Sequence, residues 1–287
     1  MPTRRRAVRI EVPLRWGDLD AQGHINNARY IDYLQDARAD FLHELGIVHL
    51  LKEGFTVVTN QIEYSAPGFF SPDPLLVDVG VCAMDDDSVT LAYKLFQADT
   101  KVATAYTTLC GYDLSTHTRK SLPDYAQDMF ASILEPIEPL RPIAWHDMNE
   151  RAKVSTMKVR WSDVDAYDHV NNAKIFDFVQ EGRIQFTAAP LRGMQGAPDE
   201  PEYMWFLVRQ DAWYLESVTL RKDPYIVRTG VAKIGNTSLT FSSQVDDPLT
   251  GAICAQAAAV AVFATADGRP TPLTGPLRDT LSQYSLD

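Results

Sequence analysis

The chain of 287 residues is 45% hydrophobic and 23% charged, the proportions of a soluble globular protein able to bury a sizeable core. A formal net charge of −11 speaks against broad electrostatic binding to nucleic acid, and the longest nearly apolar run, residues 252–266, is interrupted by Gln256 and too short to span a bilayer. Cys82, Cys110 and Cys254 are scattered without C-x-x-C spacing, so neither a disulfide framework nor a zinc site is expected. The Arg4-Arg5-Arg6 cluster is not followed by the apolar run of a signal peptide, and a cytoplasmic protein is the expectation.

In chain order, residues 8–16 (VRIEVPLRW) form a strand candidate with imperfect alternation, interrupted by Pro13. A polar stretch leads to Asn26 and Asn27, where a helix should begin because Asn is a favoured N-cap. Beyond it Tyr30, Ile31, Leu34, Ala37, Phe41, Leu42 and Leu45 recur at three- and four-residue spacing, and Gly46 is a natural stop. Strand-like runs follow at 55–64, 75–84, 88–97 and 102–113, broken by prolines and by Asp85-Asp86-Asp87. A short helix is expected at 123–134 with proline at its first position. The three prolines of residues 134–142 read as a linker.

The second half repeats this order. A strand is expected at 154–161, a helix at 172–187, strands at 205–214, 225–234, 239–246 and 252–264, and a closing short helix at 276–284. The repeat is explicit in the sequence. Residues 15–41 (RWGDLDAQGHINNARYIDYLQDARADF) align without a gap to 160–186 (RWSDVDAYDHVNNAKIFDFVQEGRIQF), His24 falling on His169, with 13 of 27 positions identical. A repeat kept only for packing would match at apolar positions; this one matches at Arg15/Arg160, Asp18/Asp163, Asp20/Asp165, His24/His169, Asn26/Asn171 and Asn27/Asn172. The expected organisation is a first domain over 1–121, a short helix and proline-rich linker over 122–152, and a second domain over 153–287.

Each copy combines a carboxylate pair, a histidine and two asparagines at the start of a helix. Helix N-termini leave backbone N–H groups unpaired and carry partial positive charge, which suits a developing oxyanion and keeps a nearby carboxylate ionised. An ionised Asp acts as general base on water or attacks a carbonyl directly. Base or nucleophile plus oxyanion donors is the minimal kit for acyl transfer, and the chain holds no G-x-S-x-G, zinc motif or P-loop to suggest other chemistry. The plainer roles for the same residues are loop capping by Asp20 and Asp165, a turn bond or salt bridge for Asp18 and Asp163, and structural caps for Asn26 and Asn171. A D-x-D…H metal site would have a thin ligand set.

The pattern strand, D-x-D, three residues, H-[IV]-N-N, helix resembles the hotdog-fold thioesterases of the 4-hydroxybenzoyl-CoA thioesterase type, and the acyl-ACP thioesterases that fuse two hotdogs in one chain. That resemblance implies an α+β tandem (double) hotdog, each half a curved antiparallel sheet wrapped around a long central helix, the two halves forming a pseudo-dimer that could assemble further. It implies catalysis by Asp20 and Asp165, polarisation of the thioester carbonyl by the backbone N–H of Asn27 and Asn172, and positioning by His24, His169, Asn26 and Asn171. Tyr64, in a Y-x-x-P sequence with Pro67, and Glu216 are auxiliary candidates. The implied activity is hydrolysis of acyl-CoA, including fatty acyl-CoA, with an acyl carrier protein as the alternative carrier; no cofactor or metal is implied. Departures exist: Gln22 and Tyr167 stand where acyl-ACP thioesterases have Asn, Gly23 becomes Asp168 in the second copy, and Tyr30 becomes Ile175. The rivals from other classes are a hotdog enoyl-CoA hydratase or dehydratase, whose D-x-N-P-x-H-like spacing is missing, and a non-catalytic acyl-CoA-binding protein.

Overall fold

The computed structural model describes residues 7–113, 115–116, 118–194 and 203–287, with 187–194 by backbone alone. The arginine cluster at 4–6 lies outside the described residues. The chain divides into two compact units, Met1–Arg141 and Pro142–Asp287.

In the first unit β1 (Ala7–Val12) is followed by helix α1 (Arg29–Glu44) and strands β2 (Phe55–Tyr64), β3 (Leu75–Met84), β4 (Ser88–Gln97), β5 (Thr100–Asp113) and β6 (Thr118–Lys120), then α2 (Asp124–Ile133). The strands pair antiparallel in the order β1-β3-β4-β5-β2, with β6 on β5. Alternation builds the concave face: Leu75, Val77, Val79 and Val81 of β3 and Leu91, Tyr93 and Leu95 of β4 are all buried. Register shifts between Val57 and Thr59, Val81 and Ala83, and Leu95 and Phe96 bend the sheet around α1. The helix fills that curve with Tyr30, Ile31, Leu34, Ala37, Phe41 and Leu42, side chains worth about 1.5–3 kcal/mol each for the large aliphatic and aromatic members.

The second unit repeats the plan: β7 (Lys153–Met157), α3 (Asn172–Met194), β8 (Tyr203–Tyr214), β9 (Tyr225–Ile234), β10 (Ser238–Asp246), β11 (Ile253–Thr265) and α4 (Gly275–Ser282). Its strands pair antiparallel as β8-β11-β10-β9-β7. Phe186 of α3 packs with Phe241, Phe263 and Leu277 in the core. Each unit is a hotdog, and the chain is a tandem hotdog.

Four expectations shift, one of them in the second unit, where the strand expected over 154–161 ends at Met157 and Trp161–Asp163 forms a 3-10 turn. The first strand ends at Val12 rather than crossing Pro13, which cannot donate to a ladder, and Trp16–Asp18 forms a single 3-10 turn. The first helix begins at Arg29, not at Asn26 or Asn27, because those asparagines build a preceding turn. The second helix runs past Thr187 to Met194.

The proline-rich segment is tied down within each unit. Gln61 donates its side-chain amide to the Leu140 carbonyl at 2.9 Å, and the Ile143 N–H donates to Asp211 Oδ2 at 2.8 Å. Asp211 has a fully buried side chain and also pairs with Arg209 at 3.0 Å. The three cysteines are free and buried in strands, and burial pushes the Cys82 and Cys254 thiols up to about 11, which makes them poor nucleophiles.

Candidate active site

In both units the repeated segment folds as a tight hairpin that feeds the central helix. Leu19 bridges Ile25 and Val164 bridges Val170. The Asp20 N–H donates to the His24 carbonyl at 2.7 Å, and the Asp165 N–H to the His169 carbonyl at 2.8 Å. Gly23 closes the first hairpin at φ +77°, a backbone state glycine adopts freely. In the second copy Asp168 takes the same left-handed region at φ +58°, which Asp tolerates better than most side chains.

The two proposed catalytic carboxylates are half-buried and steered by their own loops. Asp20 Oδ1 accepts the N–H of Gln22 at 2.8 Å and of His24 at 3.1 Å; Asp165 Oδ1 accepts the N–H of Tyr167 at 2.8 Å. In both cases Oδ2 takes no hydrogen bond from the described residues. Hydrogen bonds to one oxygen fix the carboxylate, while the second oxygen keeps its lone pairs available.

The bonding at the helix mouth is the same twice. Asn26 N–H donates to the Asp18 carbonyl at 2.9 Å, and Asn171 N–H to the Asp163 carbonyl at 2.8 Å. The Asn26 carbonyl accepts Arg29 N–H and its Oδ1 accepts Ala28 N–H, each at 2.9 Å; the Asn171 carbonyl accepts Lys174 N–H and its Oδ1 accepts Ala173 N–H, again at 2.9 Å. The Asn27 carbonyl accepts the Tyr64 phenol at 2.9 Å, and the Asn172 carbonyl accepts the Tyr214 phenol at 3.0 Å. Among the described residues, the N–H of Asn27 and the N–H of Asn172 meet no acceptor. The Asn172 side-chain oxygen is also buried without a partner.

The remaining candidates separate into different roles. Asp18 Oδ2 accepts the Tyr33 phenol at 2.8 Å, whereas Asp163, with Phe178 at the matching helix position, accepts the Arg160 N–H at 2.7 Å and is buried. Burial first, then the hydrogen bond to Asp18 and that residue's charge, pushes the Tyr33 phenol well above its ordinary range. The His24 ring stacks edge-on against Phe69 with centroids 5.1 Å apart, and His169 Nδ1 lies 3.5 Å from Ser217 Oγ. Neither imidazole hydrogen-bonds the aspartate of its own hairpin. Glu216 is exposed in the loop after β8. A cleft of about 890 Å³ in the second unit runs between β7 and α3 and is lined by Arg160, Trp161, Asp163, Phe178 and Glu181; Asp165 is not in its wall. Among the described residues, no three His, Cys, Asp or Glu side chains are grouped as metal ligands would be, and no helix is long and apolar enough to cross a membrane.

Two contributors escaped the sequence reading. Tyr214 has a visible signal, since Asp73-Pro74 recurs as Asp223-Pro224 in a register that also carries Tyr64 onto Tyr214. Tyr33 has none, because it falls on the apolar helix stripe and reads as core.

A sequence profile of the thioesterase-like superfamily matches residues 14–132 and again 159–281. The chain belongs to the thioesterase-like superfamily. Membership supports a thioester hydrolase as the class of enzyme. Among solved structures, this thioesterase-like chain is similar to an assigned oleoyl thioesterase of Lactobacillus plantarum, with 14% identity, a TM-score of 0.71, and 93% and 96% of the two chains covered. It is also similar to a 12:0-ACP thioesterase of Umbellularia californica, with 12% identity, a TM-score of 0.71 and coverages of 92% and 100%. An acyl-ACP thioesterase of Bacteroides thetaiotaomicron follows, with 13% identity, a TM-score of 0.65 and coverages of 90% and 96%. At these identities the likeness shows the shared fold. No curated protein matches the sequence.

Proposed function

We propose that this thioesterase-like protein hydrolyses acyl-CoA, fatty acyl-CoA included, to the free acid and CoA, using Asp20 and Asp165 with the N–H groups of Asn27 and Asn172 as oxyanion donors. The observation that carries the reading is the helix mouth, where the N–H groups on either side and the carbonyl of the same residue are engaged while the N–H of Asn27 and of Asn172 meets no acceptor among the described residues, the same in both repeats. A donor at the positive end of a helix, fixed before substrate arrives, stabilises negative charge without reorganising. The thioester carbonyl oxygen accepts that N–H, and the free Oδ2 of the aspartate takes a proton from water as the water oxygen attacks the carbonyl carbon. Collapse of the oxyanion breaks the C–S bond, and the thiolate leaves and is protonated. Direct attack by the carboxylate, giving an anhydride that water then opens, uses the same two groups.

Purified protein with a panel of acyl-CoAs is expected to release free thiol, and Asp20→Asn together with Asp165→Asn to abolish that release. Full activity in the double variant overturns the reading. Two structural neighbours act on acyl-ACP by their descriptions, so the same assay with acyl carrier protein thioesters is the arm that decides the carrier.

A further inference from the structure

We infer that Tyr64 and Tyr214 are positioning residues that aim the oxyanion donor in each repeat. The inference rests on the reading that Asn27 and Asn172 polarise the thioester carbonyl. Each phenol sits on the last residue of a strand, β2 or β8, and reaches back to the carbonyl of the residue whose N–H is free. The two contacts are alike in length and atoms, although 37 residues separate the partners in the first repeat and 42 in the second. An insertion between helix and strand has therefore left the phenol-to-carbonyl bond in place.

The ring pair of the first repeat is not common to both. Tyr64 stacks edge-on against Tyr30 at 5.3 Å, but the second repeat has Ile175 in place of Tyr30 and still delivers the Tyr214 phenol to Asn172. What the repeats share is the O–H···O=C bond. In the first repeat the bond also answers a local need. The Ile31 N–H turns to Ala28 at 3.3 Å, and the Asn27 carbonyl takes no backbone N–H, so the phenol is its partner. The peptide plane between Asn27 and Ala28 is thereby held at both ends, by Tyr64 on the oxygen and by Asn26 Oδ1 on the nitrogen. Asn26 itself is held by Asp18 and Arg29. With both flanking planes fixed, the Asn27 N–H has one direction, and the same construction fixes Asn172.

Removing the phenol frees one of those planes and lets the donor wander in the transition state while leaving the substrate surface intact. Tyr64→Phe and Tyr214→Phe combined should lower kcat for acyl-CoA about tenfold to a hundredfold with KM nearly unchanged, part of the loss expected when a whole oxyanion donor is deleted. A second readout is the carbonyl stretch of an acyl-CoA bound to the Asp20→Asn/Asp165→Asn protein. Adding the two Tyr→Phe changes should move that stretch back towards its frequency in water, which a purely structural tyrosine would not do. Unchanged kcat and an unchanged stretch overturn the inference while leaving the proposed reaction standing. A wild-type protein that releases no thiol from acyl-CoA or acyl-ACP overturns both. Should the double Tyr→Phe protein fail to fold, each single variant carries the test for its own repeat.

Discussion

Tyr33 donates its phenolic hydrogen to Asp18 at 2.8 Å in the first repeat, and Phe178 occupies the equivalent helix position in the second. The bond ties the second turn of the helix to the hairpin that precedes it, from a ring that is 4% exposed. A hydrogen bond to a charged group is worth about 1.5–3 kcal/mol when well buried, and the half-buried Asp18 retains some access to water. Tyr33→Phe should cost about 1–2 kcal/mol in urea unfolding with the m-value unchanged, and Phe178→Ala, a cavity change, should cost more. A Tyr33→Phe protein as stable as wild type would mean the phenol is solvated equally well without Asp18.

The same phenols set a limit on the alkaline side. Burial raises Tyr30 from its ordinary 10.0 to about 12, and raises Tyr33 further. Between those values the unfolded chain has lost its phenolic protons and the folded chain has kept them. The unfolded state then binds fewer protons, so stability falls as pH rises. The contribution is fully present below pH about 10 and is lost progressively through pH about 12. Thermal melts across that window should show a falling Tm, and Tyr33→Phe should flatten the slope.

Asn26 and Asn171 each close the turn in front of a helix through Oδ1. Replacing either by alanine removes one backbone partner and should cost about 1 kcal/mol. Because the same turn holds the N–H of the next residue, activity in an acyl-CoA assay should fall more steeply than stability does. Asn→Asp, which keeps the acceptor, should retain more of both. Equal losses of activity in the Ala and Asp variants would show that the cap is not what aligns the site.

The parts that could be read from residues alone are those with a local signature. Period-2 and period-3.6 patterns located the strands and the central helices, and thirteen identities in one 27-residue window exposed the duplication. What escaped was long-range. Tyr64 stands out by its Y-x-x-P setting, but the partner of its phenol, a carbonyl 37 residues away, depends on how β2 lies beside the helix mouth. Tyr214 lacks that setting, since Ser217 replaces the proline. Arg38 and Arg183 match between the copies, and the helical stripe reads as apolar at that level, yet both arginines are buried, Arg38 with its charge beside the Tyr93 phenol. Composition carries no hint of a buried cation, because whether one is tolerated is decided by groups brought in from other strands.

The strands also bring a neighbour to Gly182 that makes an ordinarily favourable substitution costly. In an exposed helix, Gly→Ala gains about 1 kcal/mol because alanine loses less backbone freedom on folding. Here a Cβ would stand 2.6 Å from Thr229 Oγ1 and 3.2 Å from Val227 Cγ1. Thr229 is completely buried and its hydroxyl lies 3.0 Å from Ser243 Oγ, so it cannot rotate away without giving up that bond. Overpacking of this kind costs about 1–3 kcal/mol and the broken hydrogen bond about 1 more, so the helical gain is outweighed. Gly182→Ala is expected to destabilise by about 1–3 kcal/mol in urea unfolding. Thr229→Ala in the same chain removes the obstructing hydroxyl, so the double variant should be more stable than the sum of the two single changes predicts. Strict additivity would show that the helix moves off β9 instead of pressing on Thr229.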